Sequence, residues 1–75
     1  MIIRAEWPGY VVDVLVHQGQ EVEEDEALVL LEGTDNDHTP FYSNAPEACK
    51  IQRVIVEEGD FVEEDDELLE ISEQD

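Results

Sequence analysis

The chain contains the same pattern twice, forty positions apart, and the two copies align without a gap. Identical or conservatively replaced residues run through positions 11–32 and 51–72. The identical pairs include Val14 with Val54, Gly19 with Gly59, and Val22 with Val62. A unit too small to bury its own apolar face can bury it against a second copy of itself. The repeat therefore predicts two halves that pack about a pseudo-twofold axis as two antiparallel sheets.

Each copy has the sequence pattern of β-strands. Apolar and polar residues alternate with a period near two, and glycine or acidic turns interrupt them every few residues. This alternation predicts that the following valines face the core: Val12, Val14 and Val16 in the first copy, Val54 and Val56 in the second. Val22 and Val62 are predicted as isolated inward anchors. The pattern indicates an all-β sandwich or barrel without helices.

The length of 75 residues allows one small domain, and 41% apolar residues suffice for one compact core. Cys49 is the single cysteine, so an internal disulfide is impossible. No apolar run has the length of a bilayer span, and the N-terminal residues lack the pattern of a secretory signal. We therefore expect a soluble domain in the cytoplasm.

The charge is strongly acidic, with 22 acids against 3 bases and a net charge of −19. Phosphate binding needs basic residues that release counterions, so nucleic acid is excluded as a direct partner. Anionic membrane surfaces are excluded for the same reason. The acids stand between apolar positions, as in Glu23–Glu26, which predicts solvated faces rather than one acidic tail.

The residues that carry chemistry show no catalytic or metal-binding pattern. The candidate transition-metal ligands, His17, His38 and Cys49, lack close spacing. Asp35, Asp37 and His38 at the centre of the chain lack the regular oxygen spacing of a calcium loop. Ser43 or Cys49 would need a positioned base to act as a nucleophile, and there is no glycine-rich phosphate loop. We predict no catalytic residue, no metal site and no enzyme activity.

The two copies resemble a known family. VVDVLVHQGQEVEEDEALVLLE and IQRVIVEEGDFVEEDDELLEIS are each similar to the half-domain of the biotinyl/lipoyl carrier domain, and Arg4–Gly9 resembles that family's opening Ala-Pro-x-Pro-Gly. The resemblance implies a flattened β-barrel or sandwich of two four-stranded antiparallel sheets with quasi-twofold symmetry, a barrel-sandwich hybrid. It implies one domain over residues 1–75, with half-repeats at about 3–32 and 43–72.

The resemblance fails where the family attaches its cofactor. In the family, a lysine on the hairpin between the halves carries biotin or lipoate. Here that hairpin has a polar tip, Gly33–His38, and the family's lysine would fall on Asp35 in the biotin pattern or on Asn36 in the lipoyl pattern. Lys50, the single lysine, aligns with Tyr10 and is predicted near the start of a strand instead. We therefore expect no attached biotin or lipoate.

Four residues near the tip are candidates for protein docking: Trp7, His38, Phe41 and Tyr42. The aromatic side chains either cap the end of a small barrel or form a docking patch, since exposed aromatics mark interfaces. Both readings stay open at the level of sequence.

The resemblance favours a binding or assembly module within or beside a carboxylase or a 2-oxo acid dehydrogenase complex. One alternative is a functional biotin or lipoyl carrier with an atypical tip. Another is the lipoyl-like part of an efflux adaptor, although such proteins usually insert a long helical hairpin between the halves and begin with a membrane signal, neither of which this chain has.

The charge excess leads to a first prediction. Mutual repulsion among the acids destabilises the compact state, and salt screens that repulsion. The melting temperature should therefore rise by about 5 °C or more between low and molar sodium chloride. Circular dichroism melts at several salt concentrations measure this, and a flat response would show that repulsion is not a dominant factor.

Overall fold

A computed structural model of the chain describes residues 1–73, which form eight strands and no helix. The strands are β1 (Ile2–Arg4), β2 (Gly9–Val14), β3 (Glu21–Val22), β4 (Ala27–Gly33), β5 (Pro40–Asn44), β6 (Cys49–Val54), β7 (Phe61–Val62) and β8 (Glu67–Glu73). All strand pairs are antiparallel. No helix with the length and apolarity of a membrane span occurs in this part of the chain.

The strands form two four-stranded sheets, which confirms the predicted fold class. Sheet A has the order β1-β8-β6-β3, and sheet B has the order β5-β4-β2-β7. Each sheet therefore combines two strands from each half of the chain, because β1 and β3 join β6 and β8 in sheet A, and β5 and β7 join β2 and β4 in sheet B. Neither half can complete a sheet alone.

Hydrogen bonds between the halves occur in symmetric pairs. The Gly19 amide donates to the Ile51 carbonyl at 2.8 Å, and the Gly59 amide donates to the Val11 carbonyl at 2.8 Å. Both glycines have positive φ, 90° and 94°, which a glycine adopts without strain. The same turn therefore closes each long strand and binds it to the other half.

The half-repeat bounds at 3–32 and 43–72 remain a prediction, since strand limits do not mark where a duplicated unit begins.

The core lies between the two sheets and consists of apolar side chains from both halves. Its largest members come in equivalent pairs. They are Leu28 with Leu68, Val29 with Leu69, Leu31 with Ile71, and Val11 with Ile51, each at most 2% exposed. Val22 and Val62 are buried as predicted, and Cys49 is fully buried among these residues. Among residues 1–72 no polar or charged residue is buried, so burial of apolar surface is the main driving force for folding.

The prediction that Val12 faces the core is wrong. Val12 is 37% exposed, whereas its neighbour Val11 is 2% exposed. In the β2–β4 register, Val11 pairs with Leu31 and Asp13 pairs with Leu30, so Val12 is an extra residue on β2. Such a β-bulge interrupts the alternation of side chains between the two faces. Simple counting with a period of two therefore assigned Val12 to the wrong face.

The second copy has the same bulge, between Ile51 and Arg53 on β6. Beyond each bulge the alternation resumes in the predicted phase. The valines there are Val14 and Val54, half-buried against the core, and Val16 and Val56, which are buried. Those predictions are confirmed.

A second prediction follows from the paired core. Leu28→Ala and Leu68→Ala should each lower the free energy of unfolding by about 2–5 kcal/mol, since each leaves a cavity at an equivalent buried site. Val12→Thr should change it by less than about 0.5 kcal/mol, because the side chain points to solvent. Urea unfolding in molar salt measures all three variants. A Val12→Thr cost equal to that of Leu28→Ala would contradict the bulge.

Candidate functional site

The site that the sequence singles out is the connection between β4 and β5, residues 34–39. Its base is closed by pairing of Glu32 with Pro40, and the Gly33 amide donates to the Thr39 carbonyl at 2.9 Å. The chain therefore reverses direction within a short hairpin at one end of sheet B.

Asp35 fixes the conformation of this hairpin. Its carboxylate accepts hydrogen bonds from the Thr39 amide at 2.9 Å and from the Thr39 hydroxyl at 2.8 Å. The His38 amide donates to the Asp35 carbonyl at 3.1 Å, which leaves Asn36 and Asp37 at the centre of a four-residue turn. His38 has a φ of 51°, a left-handed conformation for which histidine is enriched among non-glycine residues.

These contacts lower the pKa of the Asp35 carboxyl below its ordinary value. The main cause is the hydrogen bond from the Thr39 amide, followed by the bond from the Thr39 hydroxyl. Both bonds stabilise the ionised carboxylate. Asp35 is exposed to solvent, yet its two oxygens are already engaged within the turn. It therefore serves as a structural cap of the turn.

The structure places both predicted attachment-equivalent residues on this exposed connection. Asn36 is at the centre of the turn, and Asp35 is at its start. Lys50 lies on β6 in sheet A, where it pairs with Glu21 on β3, so it belongs to the other sheet. Within residues 1–73, no group of three or more His, Cys, Asp or Glu side chains is arranged to hold a metal ion.

The four predicted docking residues come only partly together. Trp7 and Phe41 line one cleft of about 360 Å³ beside the tip. Together with Tyr42 they also line a second cleft of about 260 Å³. His38 is exposed on the hairpin and lines neither cleft. Trp7 is 60% exposed and Tyr42 56% exposed, whereas Phe41 packs partly against the core. Their docking role remains a prediction.

The second cleft was not found from the sequence. It lies between β1 and β5, the edge strands of the two sheets, where Ile3 from one side faces the region of Phe41 and Ser43 from the other. The cleft exists because β1 and β5 each pair on one side only. Strand order decides which edges adjoin, and strand order has no local sequence signal.

Gly9 also has a role that sequence reasoning missed. Pro8-Gly9 has the sequence of a turn, but Gly9 begins β2 and is buried opposite Gly33. A Cβ atom at this position would lie 2.5 Å from the Glu32 carbonyl oxygen. The absence of a side chain therefore allows the segment that carries Trp7 and Pro8 to run close to the hairpin. The Pro-Gly pair was the available signal, but it indicated turn geometry rather than close approach.

Comparison with solved structures identifies the fold. The chain superimposes on a region of a single-chain, multi-domain long-chain acyl-CoA carboxylase with a TM-score of 0.89 and 29% identity, covering 100% of this chain and 7% of that one. It superimposes on the urea carboxylase of Kluyveromyces lactis with a TM-score of 0.86 and 21% identity, covering 96% of this chain and 6% of that one.

The third similar structure is a single small domain. It is the lipoyl domain of the 2-oxoglutarate dehydrogenase complex from Azotobacter vinelandii, with a TM-score of 0.72 and 24% identity, covering 88% of this chain and 80% of that one. No known family profile and no curated protein matches the chain. The chain thus shares the fold of a lipoyl domain, and it spans only a small fraction of the two carboxylases.

A third prediction concerns the Asp35 cap. A lowered pKa means that the ionised carboxylate stabilises the turn above the ordinary aspartate pKa, and this contribution is lost as the pH falls through the lower, folded value. A carbon-13 NMR titration should therefore place the Asp35 midpoint below that of an unstructured aspartate, with the Thr39 amide shift following the same curve.

Thr39→Val supplies the control, because it removes the hydroxyl bond and keeps the stronger amide bond. The Asp35 pKa should move back toward its ordinary value only in part. Two results together would show that the cap does not form in solution. The Asp35 midpoint would be the same in Thr39→Val as in the wild type, and the wild-type Thr39 amide shift would not change with pH.

Proposed function

We propose that this domain uses the biotinyl/lipoyl carrier fold as a non-catalytic protein-binding or assembly module and carries neither biotin nor lipoate. The observation that supports this most is the chemistry of the tip. Attachment of either cofactor forms an amide with a lysine amine, and Gly33–His38 contains no lysine. The residues present therefore do not fit the group that the resemblance implies.

The structure of the hairpin supports a role for Asp35 other than attachment. Its carboxylate forms two hydrogen bonds with Thr39, so this residue maintains the turn. The single lysine, Lys50, pairs with Glu21 at the edge of sheet A. A ligase that recognises the hairpin of a carrier domain would find no amine there. The hairpin is retained as a rigid surface feature without its attachment chemistry.

The proposed partners are protein subunits of a multienzyme assembly. Similar domains occur within a multi-domain acyl-CoA carboxylase, within a urea carboxylase and in a 2-oxoglutarate dehydrogenase complex. The net charge of −19 argues against nucleic acid and anionic membranes as partners. The proposed location is the cytoplasm, where a free thiol such as the buried Cys49 stays reduced.

Docking at the tip end would use Trp7, Tyr42 and His38, which are exposed there, with Phe41 as a partly buried support. Exposed aromatic side chains beside a polar hairpin give apolar contact area with few rotatable bonds. These residues are offered as contacts of the proposed module and have no catalytic role in it.

A fourth prediction tests whether the attachment chemistry is absent. Intact-mass measurement after co-expression with a biotin ligase, and separately with a lipoate ligase, should give the unmodified mass. An adduct on any residue of the wild-type domain would overturn the proposal and favour a functional carrier with an atypical tip.

Asn36→Lys makes this test sharper. Asn36 is exposed at the centre of the turn, so a lysine there leaves the Asp35–Thr39 bonds intact and presents an amine on an ordered hairpin. We expect this variant to be acylated by the lipoate ligase. Asp35→Lys should be acylated less, because it removes the cap. Asp37→Lys places the amine one position further along the turn and tests whether the position of the lysine matters. Failure of all three would show that the hairpin has diverged beyond its attachment residue.

A further inference from the structure

The outward side of sheet B carries an exposed apolar patch that the fold does not require. We call it the aromatic face, and it consists of Tyr10, Val12, Leu30, Tyr42 and Phe61. Tyr10 pairs with Phe61 across β2 and β7, and Leu30 pairs with Tyr42 across β4 and β5. Directly paired residues project to the same side of a sheet. The three aromatic residues thus lie on one outward surface that spans the whole sheet.

These side chains are exposed although they are large and apolar. Tyr10 and Phe61 are each 47% exposed, and their ring centroids are 5.0 Å apart with the planes tilted by 59°. Tyr42 is 56% exposed. Aromatic pairs in this tilted arrangement attract each other, which holds both rings in place on the surface. The aromatic face is therefore an apolar area in contact with solvent, and two of its three rings contact each other.

The duplication supplies an internal control for this patch. At the equivalent positions on sheet A, Lys50 and Glu21 replace the Tyr10–Phe61 pair and are themselves cross-strand partners. Gln52 and Glu70 replace Val12 and Leu30, and Ile2 replaces Tyr42. The same backbone positions thus fold with mainly polar, solvated side chains. Folding alone does not explain the aromatic residues on sheet B.

The charges are distributed with the same asymmetry. All three basic residues of the chain are on sheet A strands, Arg4 on β1 and Lys50 and Arg53 on β6, and the Arg53 side chain lies 3.6 Å from Glu70. Sheet B strands contain no basic residue. On the outward side of that sheet, Asp13 pairs with Leu30 and Glu32 pairs with Tyr10, so acids without basic neighbours on their sheet border the apolar side chains.

This charge pattern selects the kind of occupant. A second copy of the chain would bring two net charges of −19 together, and repulsion disfavours that contact. A surface with lysine or arginine around an apolar centre complements both the acids and the aromatic rings, and arginine also stacks on tyrosine and phenylalanine. We propose that the aromatic face docks a partner protein that presents an apolar strip bordered by basic residues.

This inference rests on the proposed function, because it names the surface and the partner chemistry of a protein-binding module. It places the main contact on the side of sheet B rather than at the tip end. The attachment status of the tip and the binding capacity of the aromatic face are therefore measured separately.

A fifth prediction uses a defined probe, a disulfide-closed β-hairpin peptide with leucine and phenylalanine on one face and a lysine rim. We expect nitrogen-15 NMR titration to shift amides of β2, β4 and β7. The double variant Tyr10→Lys with Phe61→Glu installs the residues of sheet A at their equivalent positions and leaves the net charge unchanged. It should weaken binding at least tenfold and lower the melting temperature by only about 5 °C or less, because the ring contact is lost but both side chains are half exposed.

The matched control is Lys50→Ser with Glu21→Ser on sheet A, which also preserves net charge and should leave affinity within twofold. A peptide with a glutamate rim or a serine face should not bind. Equal binding by the serine-faced peptide or by the Tyr10→Lys, Phe61→Glu variant would overturn the inference, as would shifts confined to sheet A or the tip.

Analytical ultracentrifugation in molar salt tests whether a second copy of the chain occupies the aromatic face instead. A dimer of the wild type that the double variant abolishes would assign the aromatic face to a second copy and would contradict the proposed partner.

The two proposals also fail in different ways. A cofactor adduct on the wild type would overturn the proposal that the domain carries neither biotin nor lipoate, and it would leave the peptide result intact. Absence of peptide binding, with no adduct on the wild type, would overturn only the assignment of the aromatic face as the docking surface.

Discussion

The structure depends on mutual burial of two copies of one strand pattern. Each copy contributes two strands to each sheet, and the paired glycines, Gly19 and Gly59, hydrogen-bond to the opposite half. The core side chains come in equivalent pairs, so both halves bury their apolar faces at once. In a domain this small and this acidic, neither half has enough apolar surface to fold alone. Folding and association of the two halves are therefore one event.

This shared core makes the surface free to differ between the halves. The interior positions are matched, whereas the outward positions have diverged into a polar sheet A and an aromatic sheet B. A duplicated scaffold thus separates two demands that are mixed in most small proteins. The largest core positions stay equivalent, whereas the outward positions on the sheets, such as Tyr10 against Lys50, differ between copies on the same backbone.

The hairpin between the halves is ordered by its own hydrogen bonds. Asp35 and Thr39 maintain a compact turn through hydrogen bonds among solvent-exposed groups, and Gly9 allows a neighbouring segment to pass close by. The result is an ordered projection with aromatic residues at its base and no amine at its end. The residues that fix the shape of the turn, Asp35 and Thr39, are thus different from those at its centre, Asn36 and Asp37.

The amino-acid sequence alone determined the β class, the duplication, the acidic surface and the absence of a lysine at the tip, because periodicity, repeats and composition are local or additive properties. Val22 and Val62 were assigned correctly for that reason. Tertiary structure decided the rest. The bulge that turns Val12 outward, the close approach at Gly9, the cleft between β1 and β5, and the gathering of Tyr10, Tyr42 and Phe61 on one side of sheet B all depend on which strands pair and in what register. Register arises from contacts between residues far apart in the chain, and no local pattern records it.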